Sequence, residues 1–199
     1  MYKILGISLL GIAAIMMIPA AMPEQVDQKM FSGFATVSLV DADKNVLFEQ
    51  TIHNNVVDTG EDFIIDQAFK DLGTDVADAA QFNTICVTNA TSVSTGETET
   101  ASTFNTANGL TSNNCIGAIT FTTTAGIASS GAQTFSETTH FPAGTTVTGI
   151  GVCADGAQGT PFNNCDLGTT PLLAVVDTSN VTVNAGESVD ITYSFDISA

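Results

Sequence analysis

Alternation of apolar and polar residues is clearest near the end of the chain, and it predicts a β-strand there. Within residues 188–198 apolar side chains occupy every second position and polar ones fill the positions between them. The apolar positions are Val189, Ile191, Tyr193, Phe195 and Ile197. A period of two with one apolar face is typical of an antiparallel strand that buries one side against a core and exposes the other to water.

Shorter runs of the same kind predict most of the remaining elements. Residues 34–40 and 46–52 flank an Asp- and Asn-rich connection at 41–45, which is the pattern of a β-hairpin. Further runs rich in Val, Ile, Phe and Thr predict strands at 82–87, 116–122, 132–138, 145–153, 172–176 and 181–183. Two stretches rich in Thr, Asn or Gly, 88–114 and 154–164, are expected to be loops.

One segment has helical periodicity. Between residues 59 and 73 the apolar side chains fall on one helical face, with acidic residues in the first turn and Gly73 placed to end the helix. The apolar positions are Phe63, Ile64, Ile65, Ala68, Phe69 and Leu72. The fold class is therefore predicted to be all-β, an antiparallel β-sandwich of jelly-roll or immunoglobulin-like type with one short amphipathic helix.

The first 22 residues have the pattern of a secretory leader. Lys3 precedes an apolar run, and Pro19 is followed by two alanines. The apolar stretch 4–22 has 19 residues, close to the roughly 20 that span a bilayer, and it contains no A-x-A cleavage motif. A cleaved signal peptide and an uncleaved anchor helix, with 4–22 as the one membrane contact, are therefore both open, and either places the remainder outside the cell. The expected organisation is a leader at 1–22, an extended segment at 23–32 and one sandwich domain at 33–199.

All four cysteines lie beyond the leader, which fits an oxidising compartment. Of the three possible pairings, we expect the local one, Cys86 with Cys115 and Cys153 with Cys165, because each pair encloses a loop-like segment. A zinc site is the alternative, but the chain has no C-x2-C spacing and neither histidine is near a cysteine in sequence.

The composition excludes several classes of partner. The chain has 21 acidic residues against 4 lysines, no arginine, and a formal net charge of −17. Nucleic-acid binding needs clustered Lys and Arg, and the same shortage excludes a basic face for anionic lipids. Because 44% of residues are apolar and only 13% are charged, the chain can bury a core, and its polar surface must consist mainly of Thr, Ser, Asn and Gly.

Calcium is the one metal that the sequence suggests. The run Asp41-x-Asp43-x-Asn45 begins like a calcium-binding loop. Positions six and twelve hold Val46 and Ile52, where an EF-hand has Gly and Glu, so the segment is not an EF-hand. A hairpin turn stabilised by Asx hydrogen bonds explains the same residues, with calcium as the alternative. No other cofactor is expected.

Two further candidate positions are the sequons at Asn89 and Asn180, which can accept a glycan in an exported chain. Catalytic patterns are missing: there is no G-x-S-x-G, and His53 and His140 are expected to be ordinary strand or turn residues. We therefore expect that the protein is not an enzyme.

The order of elements resembles the β-sandwich modules of phage-type tail-fibre and tail-collar proteins. The segments that carry the resemblance are 53–60, the helix after it, and 82–87, 148–152, 171–175 and 183–193. It extends over about residues 31–199, and the leader and cysteines indicate an exported relative of that sandwich. The resemblance implies attachment or assembly and supplies no catalytic residue.

The function expected from these observations is structural. We expect an extracellular or cell-surface sandwich that acts in assembly or adhesion, with other surface proteins or copies of itself as partners. Residues 23–32 are the segment most able to pair with a neighbour's sheet edge. The alternative is a secreted module that binds a glycan or small ligand through the two disulfide-pinned loops.

Overall fold

The computed structural model describes residues 32–58, 60–62, 64, 82–90, 93, 95–96, 98–100, 104, 114–154, 165 and 172–196. Ten strands form two antiparallel sheets. They are β1 (Ser32–Val40), β2 (Val46–Asn55), β3 (Phe82–Thr88), β4 (Cys115–Ile116), β5 (Thr122–Thr124), β6 (Ile127–Ser129), β7 (Gln133–Ser136), β8 (Thr145–Ala154), β9 (Leu172–Val183) and β10 (Ser188–Asp196). The predicted all-β class is confirmed.

The larger sheet has six strands, built around β10. Its order is β2-β1-β10-β6-β5, and β7 pairs with the first half of β10 on the side that β6 occupies further along. Strand β1 pairs with β10 along its whole length, from Ser32 opposite Asp196 to Val40 opposite Ser188. The smaller sheet has the order β4-β3-β8-β9. Strand β10, where the alternation of the sequence is strictest, is thus a central strand.

One apolar core fills the space between the two sheets. It contains Tyr193 and Phe135 from the larger sheet and Ile85, Ile150 and Val176 from the smaller one, all of them fully buried. Residues from both sheets belong to this single cluster, so the sheets face each other in the arrangement of a β-sandwich. Burial of large side chains of this kind contributes about 1.5–3 kcal/mol each, which is the main stabilising term of the fold.

A second apolar cluster covers the outer face of the smaller sheet. Phe104, from the segment between β3 and β4, is buried there with all four cysteines, Leu172 and Val175, and Val93 packs against the same cluster. Two glycines of β8 provide the space: a Cβ on Gly151 would lie 2.7 Å from the Phe104 ring, and one on Gly149 would lie 2.6 Å from Val93. The sheet is therefore covered on both faces, which explains why residues 172–176 are continuously apolar.

The two sheets are joined at a seam between β2 and β9. Val56, just after β2, forms an isolated bridge with Ala174, and the Val57 amide donates to the Leu173 carbonyl at 3.0 Å. Gly60 packs here because a Cβ would lie 2.7 Å from that same carbonyl oxygen. Away from the seam, the two strands are edge strands on the same side of the sandwich.

The structure differs from three of the elements that the sequence predicts. The single strand expected at 116–122 is wrong: the chain forms β4, turns where Ala118 has a φ of +56°, and continues as β5 in the other sheet. Strand β6 was not expected. The two strands expected at 172–176 and 181–183 are one strand, β9. Of the helix expected at 59–73, residues 60–62 and 64 are helical, as is residue 58 before it, and residues 59, 63 and 65–73 lie outside the described residues.

The leader, residues 23–31 and most of both expected loops also lie outside the described residues. Within the described part of the chain, no helix has the length and apolar character needed to cross a membrane.

Candidate functional site

A cleft of about 350 Å³ lies beside the seam, between the end of β2 and the first half of β9. Its lining residues are Ser32, Ile52, His53, Asn54, Thr95, Val175, Val176 and Asp177. The cleft thus offers a carboxylate, an imidazole, an amide and two hydroxyl groups above a small apolar surface. Thr95 comes from the segment enclosed by the first disulfide, which therefore contributes directly to this cleft.

The amide of Asn54 is held in place from both sheets. The Tyr193 hydroxyl donates to Asn54 Oδ1 at 3.4 Å, and Asn54 Nδ2 donates to the Val175 carbonyl oxygen at 3.4 Å. Burial raises the pKa of Tyr193 well above its usual range, while the hydrogen bond to Asn54 acts in the opposite direction. Gly33 leaves the space that this contact needs, since a Cβ there would meet the tyrosine hydroxyl and Asn54 Oδ1. The amide is thus presented to the cleft in a fixed orientation.

The edge of β2 that continues from the cleft is unusually apolar. Val46, Leu47 and Phe48 are 57%, 52% and 41% exposed, and within the described residues β2 has β1 as its one ladder partner. Sheet edges in soluble proteins are commonly protected by Lys, Pro or an inward charge, because unpaired backbone groups are a template for another strand. Strand β2 contains neither Lys nor Pro. The pairing with β1 shifts between Leu39 and Val40, which leaves Leu47 as the extra residue of a β-bulge in β2.

Gln50, in the middle of β2, is the one described residue with a buried side-chain polar atom that lacks a partner. Its Nε2 atom is inaccessible to solvent and makes no hydrogen bond within the described part of the chain. An unsatisfied buried amide costs about 1–3 kcal/mol, so Gln50 is an energetically unfavourable position in β2.

Both disulfides are present, with the pairing favoured from the sequence. Cys86 and Cys115 lie directly opposite each other on β3 and β4, and Cys165 is joined to Cys153 of β8. The sulfurs of Cys86, Cys153 and Cys165 lie within 4.8 Å of one another in the buried outer cluster. Because these sulfurs are bound in disulfides, they do not offer the thiolates that the alternative zinc site requires.

The residues of the candidate calcium loop form the β1–β2 hairpin turn. Asp41 Oδ1 accepts hydrogen bonds from the amides of Asp43 and Asn45 at 2.9 and 2.8 Å, and its Oδ2 accepts one from Asn45 Nδ2 at 2.9 Å. The bond from the Asn45 side chain is the main cause of the lowered pKa of Asp41. Lys44 takes the left-handed conformation that closes the turn. Both oxygens of Asp41 are engaged in the turn, and calcium binding stays a prediction.

The histidines occupy different environments. His53 is exposed on β2, 6.0 Å from the Phe34 ring, and lines the cleft. His140 is half-buried against Phe135, and its Nδ1 accepts a hydrogen bond from the Ser136 amide at 3.0 Å. Desolvation lowers the pKa of His140, so it is neutral near pH 7. Its contacts give it a role in the turn after β7.

The two sequon asparagines are exposed. Asn89 follows β3, and Asn180 lies in β9 with a φ of +55°. Glycosylation at either position stays a prediction. No sequence pattern predicts the cleft, because Asn54, Thr95 and Asp177 come from three distant segments and none belongs to a motif. The exposure of residues 46–48 could have been noticed, since an alternating strand does not carry three consecutive apolar residues.

Comparisons with known proteins give no relative: no family model matches the chain, and neither a curated protein nor a solved structure matches it.

Proposed function

We propose that this protein is a non-enzymatic extracellular or cell-surface β-sandwich that acts by assembling with copies of itself or with other surface proteins. The observation that carries the proposal is the edge of β2 that faces away from β1, where Val46, Leu47 and Phe48 are exposed and no strand of the described part of the chain pairs. An edge of this kind is a site for strand addition, and in a chain that stays monomeric it would be an aggregation hazard.

Export supports this proposal. The leader pattern at 1–22 and two disulfides fit an oxidising environment outside the cell. The resemblance to tail-fibre and tail-collar modules, the immunoglobulin-like or jelly-roll character predicted from the pattern of strands, and the absence of a catalytic sequence motif agree with a structural role. The net charge of −17 helps to keep an exposed β surface soluble.

The test compares one substitution on the free edge with one on the opposite edge of the same sheet. The full chain is produced with its own leader in a host that forms disulfides, and its assembly is followed by sedimentation and electron microscopy over a range of concentrations. Phe48→Glu should prevent assembly, whereas Thr123→Glu on the exposed strand β5 should leave it unchanged. A wild-type chain that stays monomeric at every concentration would refute the proposal.

A second candidate function is the binding of a small neutral polyhydroxylated ligand, such as a saccharide, in the cleft. It is favoured by the cleft's mixture of hydroxyl, amide and carboxylate groups and by the contribution of Thr95 from the disulfide-closed segment. A glycan array with the wild-type chain should then give hits that Asp177→Asn and Thr95→Val both weaken. If the array shows no hit, or if the two variants weaken none of the hits, the cleft does not bind a saccharide and this second candidate function is refuted.

A further inference from the structure

A strand that pairs with the outer edge of β2 would have to carry side chains compatible with those of β2 at each paired position. The edge presents Phe48, Gln50 and Ile52 on the face of the sandwich core and Glu49 and Thr51 on the outer face, as their pairing with β1 defines. An incoming strand places its residues directly opposite these positions, with side chains on matching faces. The occupant is therefore specified by residue type, position by position.

We propose that residues 23–31 of a second copy of this chain add to β2 as an antiparallel strand. This inference rests on the proposed function, because it names the partner and the contact by which the chain assembles. Residues 23–31 immediately precede β1, and nine residues in extended conformation span roughly 30 Å, enough to follow β2 from Leu47 to Asn55.

One register pairs apolar side chains with apolar ones and places opposite charges beside each other. In it Met30 lies opposite Phe48, Lys29 opposite Glu49, Gln28 opposite Gln50, Asp27 opposite Thr51 and Val26 opposite Ile52. The two apolar pairs extend the core face, and the Lys–Glu pair lies on the outer face, where Glu49 already accepts a hydrogen bond from Ser38. Cross-strand pairs of these types are the ones that stabilise antiparallel sheets.

The neighbouring registers lose this match. A shift by one residue places Lys29 opposite Phe48 or Gln50 and exchanges the two faces of the incoming strand. A shift by two residues keeps the faces but places Gln28 opposite Phe48 or Ile52, and it removes Lys29 from Glu49. The side chains therefore favour a single register.

The same register requires two copies. An antiparallel strand along β2 places its residue 31 beside Leu47, whereas Ser32 of the same chain lies beside Asn55 at the other end of β2. Eight residues of strand separate these points, roughly 26 Å, and one peptide unit spans about 3.8 Å. The strand must therefore come from another molecule. Because residues 23–31 of one copy bind the β2 edge of the next, the contact is head-to-tail and generates a ring or an open filament.

Two unexplained features of the monomer have a role in this contact. Gln28 lies opposite Gln50, whose Nε2 has no hydrogen-bond partner within the described residues; because this atom is inaccessible in the monomer, it can reach the Gln28 side-chain oxygen only through a change of the Gln50 rotamer. Near the beginning of the segment 23–31, Glu24 and Gln25 lie opposite Asn54 and His53, so the cleft at the seam receives the beginning of the added strand. The cleft and the apolar edge thus form one continuous site.

A charge-exchange experiment tests the register with the full chain. In Lys29→Glu two glutamates face each other, and in Glu49→Lys two lysines do. Each single reversal should raise the concentration needed for assembly by about 3- to 10-fold, the effect of losing an exposed cross-strand ion pair and gaining a repulsion. The double variant Lys29→Glu/Glu49→Lys should assemble as the wild type does, and so should a mixture of the two single variants. Glu137→Lys is the control variant. It makes the same charge change as Glu49→Lys, but on the turn after β7, away from β2.

A crosslinking experiment tests the same contact without relying on charge. Paired residues on antiparallel strands have Cα atoms about 4.5–5.5 Å apart, within the range of about 4.4–6.8 Å that a disulfide spans. Gln28→Cys with Gln50→Cys should give chains linked between copies, whereas Gln28→Cys with Thr51→Cys, whose side chain is on the other face, should give few.

The outcomes separate this inference from the proposed function. Recovery of assembly in the double variant and in the mixture, together with the 28–50 crosslink, supports the inference. Assembly that persists unchanged in both single reversals and gives no 28–50 crosslink overturns the inference and leaves the assembly function standing. A chain that does not assemble under any condition overturns both.

Discussion

A methyl group added at Gly33 tests how the two sheets are joined above the core. In Gly33→Ala the new Cβ would meet the hydroxyl of Tyr193 and Oδ1 of Asn54, and it would lie 2.9 Å from Tyr193 Cζ. Tyr193 is fully buried, and its hydroxyl, the closest of these groups, has no space in which to retreat. The substitution therefore strains the contact that links β10, β2 and β9.

The size of the effect follows from opposing terms. Overpacking of a buried site costs about 1–3 kcal/mol, and replacement of glycine by alanine in a strand returns roughly 0.4–1 kcal/mol by restricting the unfolded chain. We expect Gly33→Ala to lower the free energy of unfolding by about 1–2 kcal/mol. For a domain of this length that corresponds to a decrease in Tm of roughly 2–8 °C.

The companion variant Tyr193→Phe removes the hydroxyl that the new methyl group meets. The single variant Tyr193→Phe loses one weak hydrogen bond, which should lower the free energy of unfolding by about 1 kcal/mol. In Gly33→Ala/Tyr193→Phe the methyl group gains most of the space it needs, so the double variant should be more stable than the sum of the single effects implies by about 1 kcal/mol. Urea and thermal unfolding, followed by circular dichroism with the disulfides intact, measure all four chains.

An independent readout uses the buried phenol. Because burial raises the pKa of Tyr193, the folded state keeps the phenol protonated while the unfolded state releases the proton from about pH 10. The stability contributed by the neutral phenol is complete below that pH and falls as the pH rises further, by up to about 1.4 kcal/mol per unit. Tyr193→Phe should lose this alkaline slope. Additive single effects, within about 0.5 kcal/mol, or an unchanged slope would refute the account of this contact.

Three further outcomes are expected. Replacing both cysteines of the β3–β4 disulfide by serine should cost about 3.6 kcal/mol and replacing the other pair about 2.8 kcal/mol, from loops of 29 and 12 residues, as measured by urea unfolding. Because the pKa of His140 is lowered by desolvation, stability should fall as the pH drops below about 6.5, and His140→Gln should remove that part of the pH profile. Because the pKa of Asp41 is lowered, its carboxylate stabilises the folded state at pH values above the ordinary pKa of an aspartate, and this stabilisation is lost in acid. Asp41→Ala should remove this pH dependence. EDTA should leave the Tm unchanged because hydrogen bonds hold the turn.

Sequence periodicity predicted the long strands because each one has an apolar side facing the common core. Strand β10 is the clearest example, with its inward side chains buried and its alternation uninterrupted. The hairpin of β1 and β2 was predicted for the same reason, and from the Asp- and Asn-rich turn between its strands. Local pattern was sufficient wherever one strand made many similar contacts.

The short strands and the cleft depend on contacts between distant segments. Strands β4, β5 and β6 have two or three residues each, and the turn at Ala118 that sends the chain from one sheet to the other has no glycine or proline at that position. In the same way, Phe104 stands alone in a Thr- and Asn-rich stretch, and its burial depends on the space above Gly151. A pattern within one segment cannot contain this information.

Charge and the proposed contact together predict an unusual dependence of assembly on salt. The part beyond the leader has 3 lysines and 21 acidic residues, a charge of −18, so copies repel each other over a Debye length of about 30 Å at 0.01 M salt. At 0.15 M the Debye length is about 8 Å, which screens this general repulsion and still exceeds the 4.5–5.5 Å separation of a cross-strand pair such as Lys29 and Glu49. At 1 M it is about 3 Å, and the pair is screened as well. Wild-type assembly should therefore strengthen from low to physiological salt, and the advantage of Lys29 over Lys29→Glu should disappear at 1 M. Assembly that weakens steadily from the lowest salt would mean that long-range attraction, and not this edge, holds the copies together.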